Sequence, residues 1–198
     1  MLLLSLTAGI VSRPRALYAR NEEGIEGITV PIDLQYQLLL KILTFDRNLK
    51  KRVGNEIVLG IAYESGYQES LKAKDELLKA ASELGNQKIG DLPVRFVPIE
   101  VKEEGGLAAQ LHQEHINILY VAPMRNLNVG VFASVCQAMG IMSLTGVPSY
   151  IERGISFGFD LQGGKLGIIV NLPSAKAEGT DFSSKFLHLV RVVEGRSR

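Results

Sequence analysis

Two adjacent glycines, Gly163 and Gly164, stand between apolar runs at 155–161 and 166–170. A tight two-residue turn needs positive φ, which glycine adopts without a steric penalty, so this stretch predicts a β-hairpin. From the hairpin the chain runs through Asn171 and Ala175 into a helical pattern at 182–191. Upstream, apolar runs at 57–63, 94–100, 116–122 and 141–145 alternate with segments of helical period. Alternating strands and helices make a mostly parallel sheet covered on both faces, with right-handed crossovers. The expected fold is therefore α/β: a three-layer sandwich with a flavodoxin/Rossmann-like sheet, ending in the hairpin and a C-terminal helix. With 198 residues, 46% of them hydrophobic, the chain can build one domain with a substantial core.

The helical segments carry further expectations. Pro31 suits the start of a helix, since its missing N–H costs nothing there. Leu38, Ile42, Phe45 and Leu49 recur at helical spacing, and Leu39, Leu40 and Leu43 widen the stripe. Lys50, Lys51 and Arg52 suit a helix end before Gly54. A helix lying on a sheet buries one stripe, so the surplus predicts cover from a second copy of the chain. The alternative cover is the last helix, through Phe186, Leu189 and Val190. Ser65 and Gln68 have capping-box spacing and open a helix expected to run to Leu84. Its Lys72, Lys74 and Lys79 read as a solvated face. Pro98 within a strand predicts a sheet edge.

Residues 1–11 form an apolar run too short to cross a bilayer, and Ala19 closes a small-residue cleavage pattern. This predicts a signal peptide over 1–19, a linker over 20–30 and a folded domain over 31–194. The mature chain would then be exported and would not insert into the membrane. A net charge of +1 argues against a nucleic-acid footprint.

No phosphate loop and no dinucleotide fingerprint follows the first strand; Tyr63, Glu64, Ser65, Gly66 and Tyr67 occupy that place. No cofactor is expected. His112 and His115 are three apart, whereas a helical zinc motif sets its histidines four apart, and no third ligand is nominated. Cys136 sits in an apolar helical pattern, where a buried structural thiol is the expected reading. No nucleophile, acid and base assemble, so no enzyme, catalytic residue or metal site is expected. What remains is the rule that open α/β sheets bind outside the carboxyl ends of their strands. That rule nominates Tyr63, Glu64 and Ser65 after the first strand, with Met124, Arg125 and Asn126 after the third. Ser149 follows the fourth, and Tyr67 and Tyr150 add large side chains suited to a partner or ligand contact.

The order of these segments resembles a known family. Residues 41–47, 57–63, 115–121 and 140–145, the Gly-Gly hairpin, Asn171 and Ala175 carry the resemblance. So does the helix opening at Ser183, Ser184 and Lys185. The chain is similar to the YfiR/HmsC-like family of bacterial periplasmic proteins over residues 31–194. The resemblance implies a small non-enzymatic regulator that binds the periplasmic part of a membrane signalling protein, of the diguanylate cyclase or sensor kinase type. Some members use disulfides; a single cysteine leaves no internal counterpart here. The other reading is a small-molecule binder resembling one lobe of a solute-binding protein.

Overall fold

The structure, a computed structural model, describes residues 27–83, 85, 88–162 and 164–194. The proposed signal peptide and most of the proposed linker lie outside the described residues, as do Leu84 and Gly163.

Strand β1 (Ile57–Tyr63) is buried on both faces and pairs in parallel with β3 (Leu92–Glu100) and β4 (Ile118–Val121). Its unbroken apolar run follows from that position. A two-residue strand β2 (Lys88–Ile89) pairs with the start of β3. It reaches only Leu92 and Pro93, so Pro98 does stand where the sheet edge is open. Beyond β4 come β5 (Met142–Thr145) and β6 (Phe157–Gln162), both parallel, then β7 (Lys165–Asn171), antiparallel to β6. Gly164, at φ 78°, takes the left-handed backbone that the tight turn requires. The full order is β2-β3-β1-β4-β5-β6-β7-β8. Its parallel part has the doubly wound flavodoxin order, which reverses direction between β1 and β4.

Helices α1 (Ile32–Phe45) and α3 (Gln68–Glu83) cover one face. That core holds Leu39, Leu43, Leu59, Tyr120, Leu144 and Phe159. Helices α4 (Leu107–Gln113) and α5 (Val129–Met139) cover the other, where Phe132 and Cys136 of α5 share a core with Val58, Leu119 and Val121. The expected three-layer α/β sandwich is what forms.

Several details differ from the sequence expectation. The first helix breaks at Asp46, and α2 (Leu49–Val53) is a separate short helix. Asp46 leaves helical geometry to bridge Phe182, and its carboxylate accepts the N–H groups of Asn48 and Asp181 at 2.9 and 3.0 Å. The capping box at Ser65 is not used: α3 starts at Gln68, and Ser65 Oγ donates to Glu100 Oε1 at 2.7 Å. The last helix, α7 (Ser184–Leu187), is one turn rather than the expected 182–191. Chain beyond it forms β8 (Arg191–Val193), pairing with the open edge of β7. Backbone groups on that edge and two β-branched valines favour a strand over further helix. Asn171 caps an additional helix, α6 (Leu172–Ala177), accepting from Ser174 N at 3.2 Å.

The broad apolar stripe of α1 is covered within the chain by α3 and by α7. Phe186 stacks on Phe45 at 5.0 Å between ring centres and on Phe182 at 4.7 Å. Leu189, expected to share that role, is 76% exposed. Among the described residues no helix is long and apolar enough to cross a membrane.

Candidate functional site

The crossover from β1 through α3 leads to β3 on one side, whereas β4 lies on the other. The loops after β1 and β4 therefore diverge and leave a crevice at the carboxyl ends of the strands. Glu64 spans it. Its Oε2 accepts the backbone N–H groups of Arg125 at 2.8 Å and Asn126 at 3.2 Å, while Oε1 accepts from the Asn126 side-chain amide. Its own N–H donates to Ser70 Oγ at 2.9 Å. Burial pushes the Glu64 carboxyl up, but these donors and the Arg125 charge outweigh it, and the group is held below its ordinary value. Glu64 is thus a structural tie between two loops, with its oxygens already engaged.

The Arg125 guanidinium leaves this tie and lies 5.1 Å from the centre of the Tyr67 ring. Burial, then the Glu69 charge, push the Tyr67 phenol up; Arg125 opposes them. Tyr150 clamps the same loop, its hydroxyl accepting from Met124 N at 2.8 Å and donating to Met124 O at 3.2 Å. Of the nominated residues, the structure gathers Glu64, Tyr67, Arg125 and Asn126 into one cluster, with Met124 and Tyr150 bracing it. Ser65 faces Glu100, and Tyr63 lies under the Lys74 ammonium at 5.0 Å. Ser149 Oγ is buried without a hydrogen-bond partner among the described residues. Tyr67 and Tyr150 are buried, whereas Tyr63 and Met124 are half-buried and Arg125 and Asn126 are exposed.

Beside the cluster runs a groove of about 750 Å³. It is lined by the strap 27–32, by the loop and first turns of α3, and by Arg125. The strap is anchored from below. Gln35 Nε2 donates to Val30 O at 2.6 Å, and Tyr120 donates its buried hydroxyl to Gln35 Oε1 at 2.9 Å. The space for this chain comes from Gly146. A Cβ there would lie 2.6 Å from the Gln35 amide and 2.7 Å from the Tyr120 hydroxyl. Residues 27–30 therefore pack onto the domain, with Val30 buried. Sequence reasoning did not nominate Glu69, Lys72 or Glu76 for this lining. Their helical spacing was visible, but the strap had no readable signature.

A second polar cluster lies at the opposite end of the sheet. Glu178, fully buried at the end of α6, accepts from Ser143 N at 3.0 Å and Ser143 Oγ at 2.5 Å. Ser143 Oγ accepts in turn from Ser156 N at 3.0 Å. Nearby, Arg52 pairs with Asp46 at 2.6 Å, both side chains buried. Burial pushes the Glu178 carboxyl up to about 7, against the pull of Ser143 and the Arg52 charge. The Cys136 thiol is also pushed well up, by burial and then by Glu178. This end ties segment 178–182 to the α1–α2 corner, with Arg47 pairing Asp181 and Asn48 donating to Gly179 O.

The profile of the YfiR/HmsC-like family matches residues 33–191. No curated protein sequence matches the chain. Among solved structures, it is similar to a ligand-free, open substrate-binding protein with adhesive properties from Clostridium difficile. The identity is 17% and the TM-score 0.50, over 75% of this chain and 58% of that one. A conserved domain protein from Vibrio cholerae shares 12% identity at a TM-score of 0.57, over 83% of this chain and 60% of that one. An ABC domain in complex with L-Trp from Streptococcus pneumonia shares 14% at 0.52, over 76% and 62%. The chain thus spans about three-fifths of each of these structures. At such identities the likeness shows the α/β fold alone.

Proposed function

The chain belongs to the YfiR/HmsC-like family, and from this we propose that it is a periplasmic, non-enzymatic regulator of a membrane signalling protein. The family match over most of the domain is the single observation that carries this reading. The partner is the extracytoplasmic part of a diguanylate cyclase or a sensor kinase. Arg125 and Asn126, with the half-buried Met124, offer side chains at a rigid loop end, a setting suited to contact because Glu64 and Tyr150 hold the backbone. The test is affinity capture of tagged protein from detergent-solubilised membranes of the native bacterium. A signalling protein with a periplasmic segment is expected in the capture, and deletion of the gene should change cyclic-di-GMP or the kinase output. Capture of no such protein, together with an unchanged signalling output, refutes the reading. Export is part of it: N-terminal sequencing should find a mature start near Arg20, and an intact Met1 on the protein in the cytoplasm would count against export.

A second reading, small-molecule binding, draws support from the groove at the point where strand order reverses. The substrate-binding protein and the L-Trp complex among the similar structures are consistent with it. The two readings combine if a ligand adjusts the partner contact.

A further inference from the structure

Charges of opposite sign lie near Tyr67 in the lining of the groove. The Arg125 guanidinium is set over the ring, and Glu69 stands in the first turn of α3. Both reach the same phenol electrostatically, Glu69 raising its pKa and Arg125 lowering it. Yet the two do not pair with each other: no ion pair or side-chain hydrogen bond engages either one among the described residues. Glu64, the other carboxylate near Tyr67, is committed to Arg125 N, Asn126 N and the Asn126 amide. Ile28 and Val30 of the strap and Ala73 of α3 are in the lining; Val30 and Ala73 are buried, and Ile28 is half-buried. Lys72 and Glu76 of α3 also line the groove, one of each sign, and Lys72 is a helix-surface neighbour of both Glu69 and Glu76.

An anion placed on Arg125 would be repelled by Glu69, and a cation placed on Glu69 would be repelled by Arg125. A ligand bearing both charges satisfies both groups, each through a charge-assisted hydrogen bond. We propose that this groove binds a small zwitterion with an apolar body: its carboxylate on Arg125, its ammonium on Glu69, its body against Ile28 of the strap. The proposal rests on the small-molecule reading and is independent of the membrane partner.

The probes are L-leucine and L-phenylalanine, with the analogues lacking the ammonium (4-methylpentanoate, 3-phenylpropanoate) and those lacking the carboxylate (isopentylamine, phenethylamine). Each is titrated calorimetrically into the whole protein, and each is added at about 10 mM in thermal melts, where a ligand of the folded state raises Tm by mass action. At least one amino acid should bind and raise Tm, and both of its analogues should bind at least roughly tenfold more weakly, as loss of one charged contact implies. Arg125→Gln and Glu69→Gln should each weaken it by a similar factor, while the distant surface variant Lys79→Gln should not. Both charged groups are on the surface, so unchanged melts of the unliganded variants will show that the fold is intact. If an analogue binds as tightly as its amino acid, the groove remains a ligand site and the zwitterion proposal falls. If neither amino acid binds, the proposal falls outright, and membrane capture decides the regulator reading separately.

Discussion

Glu178→Gln should change the way stability depends on pH. The carboxyl is pushed up to about 7 in the folded protein from an ordinary value of 4.5, chiefly by burial. Between those values the folded protein keeps a proton that the unfolded chain has released. Stability therefore falls as pH rises through that window and levels off above it. At roughly 1.4 kcal/mol for each pH unit, the fall from this one group is about 3 kcal/mol. Glutamine carries no charge and removes the slope. It also carries two N–H groups where the protonated carboxyl carries one O–H, so one buried donor beside Ser143 is left without a partner. That loss costs about 1–3 kcal/mol at every pH. The variant should accordingly be less stable than the parent at pH 5, and the deficit should shrink or reverse by pH 8. Urea unfolding followed by circular dichroism at pH 5, 6, 7 and 8 measures this, with the m-value checked for constancy. Taking the difference between the two proteins cancels every group they share. Parallel stability curves across the window would refute the reasoning, because they would mean that Glu178 is already ionised when folded.

Gly146→Ala drives a methyl into the Gln35–Tyr120 chain, and overpacking of that kind should destabilise the fold by about 1–3 kcal/mol, read in thermal melts. The strap should loosen with it, seen as faster hydrogen exchange at 27–30. Glu64→Ala removes the acceptor of two backbone N–H groups and should cost about 1–3 kcal/mol, with the exchange of the Arg125 and Asn126 amides accelerated while β5 and β6 stay protected. Because the Glu64 carboxyl is held below its ordinary value of 4.5, its contribution should be present above that pH and be lost on acidification below it. Phe186→Ala removes the ring between Phe45 and Phe182; a loss of about 3–5 kcal/mol is expected, with early proteolysis after α6.

What the sequence revealed was the part written in local pattern. The run at 57–63 declared a strand buried on both faces, and Pro98 marked the open edge. The Gly-Gly turn declared the hairpin, because one positive φ in a two-residue loop leaves few other geometries. Long-range pairings were invisible. Residues 191–193 carry a helical neighbour upstream and only two valines of their own, and they become a strand because β7 offers an edge. The same applies to Asp46, whose place in a long apolar stripe predicted helix; its bridge to Phe182 and its pairing with Arg52 prevailed over propensity. The rule about strand ends nominated Glu64, Arg125 and Asn126, and side-chain size added Tyr67, but neither could divide them by role. Three backbone and side-chain donors turn Glu64 into scaffold, whereas Arg125, whose main chain is fixed by that scaffold, sets its guanidinium over the Tyr67 ring with no side-chain hydrogen bond or ion pair among the described residues. Commitment of this kind depends on partners sixty residues away. That commitment bears on any ligand: a charge already hydrogen-bonded within the fold offers a ligand little, and a charge held in place with its hydrogen-bond donors unused offers it more.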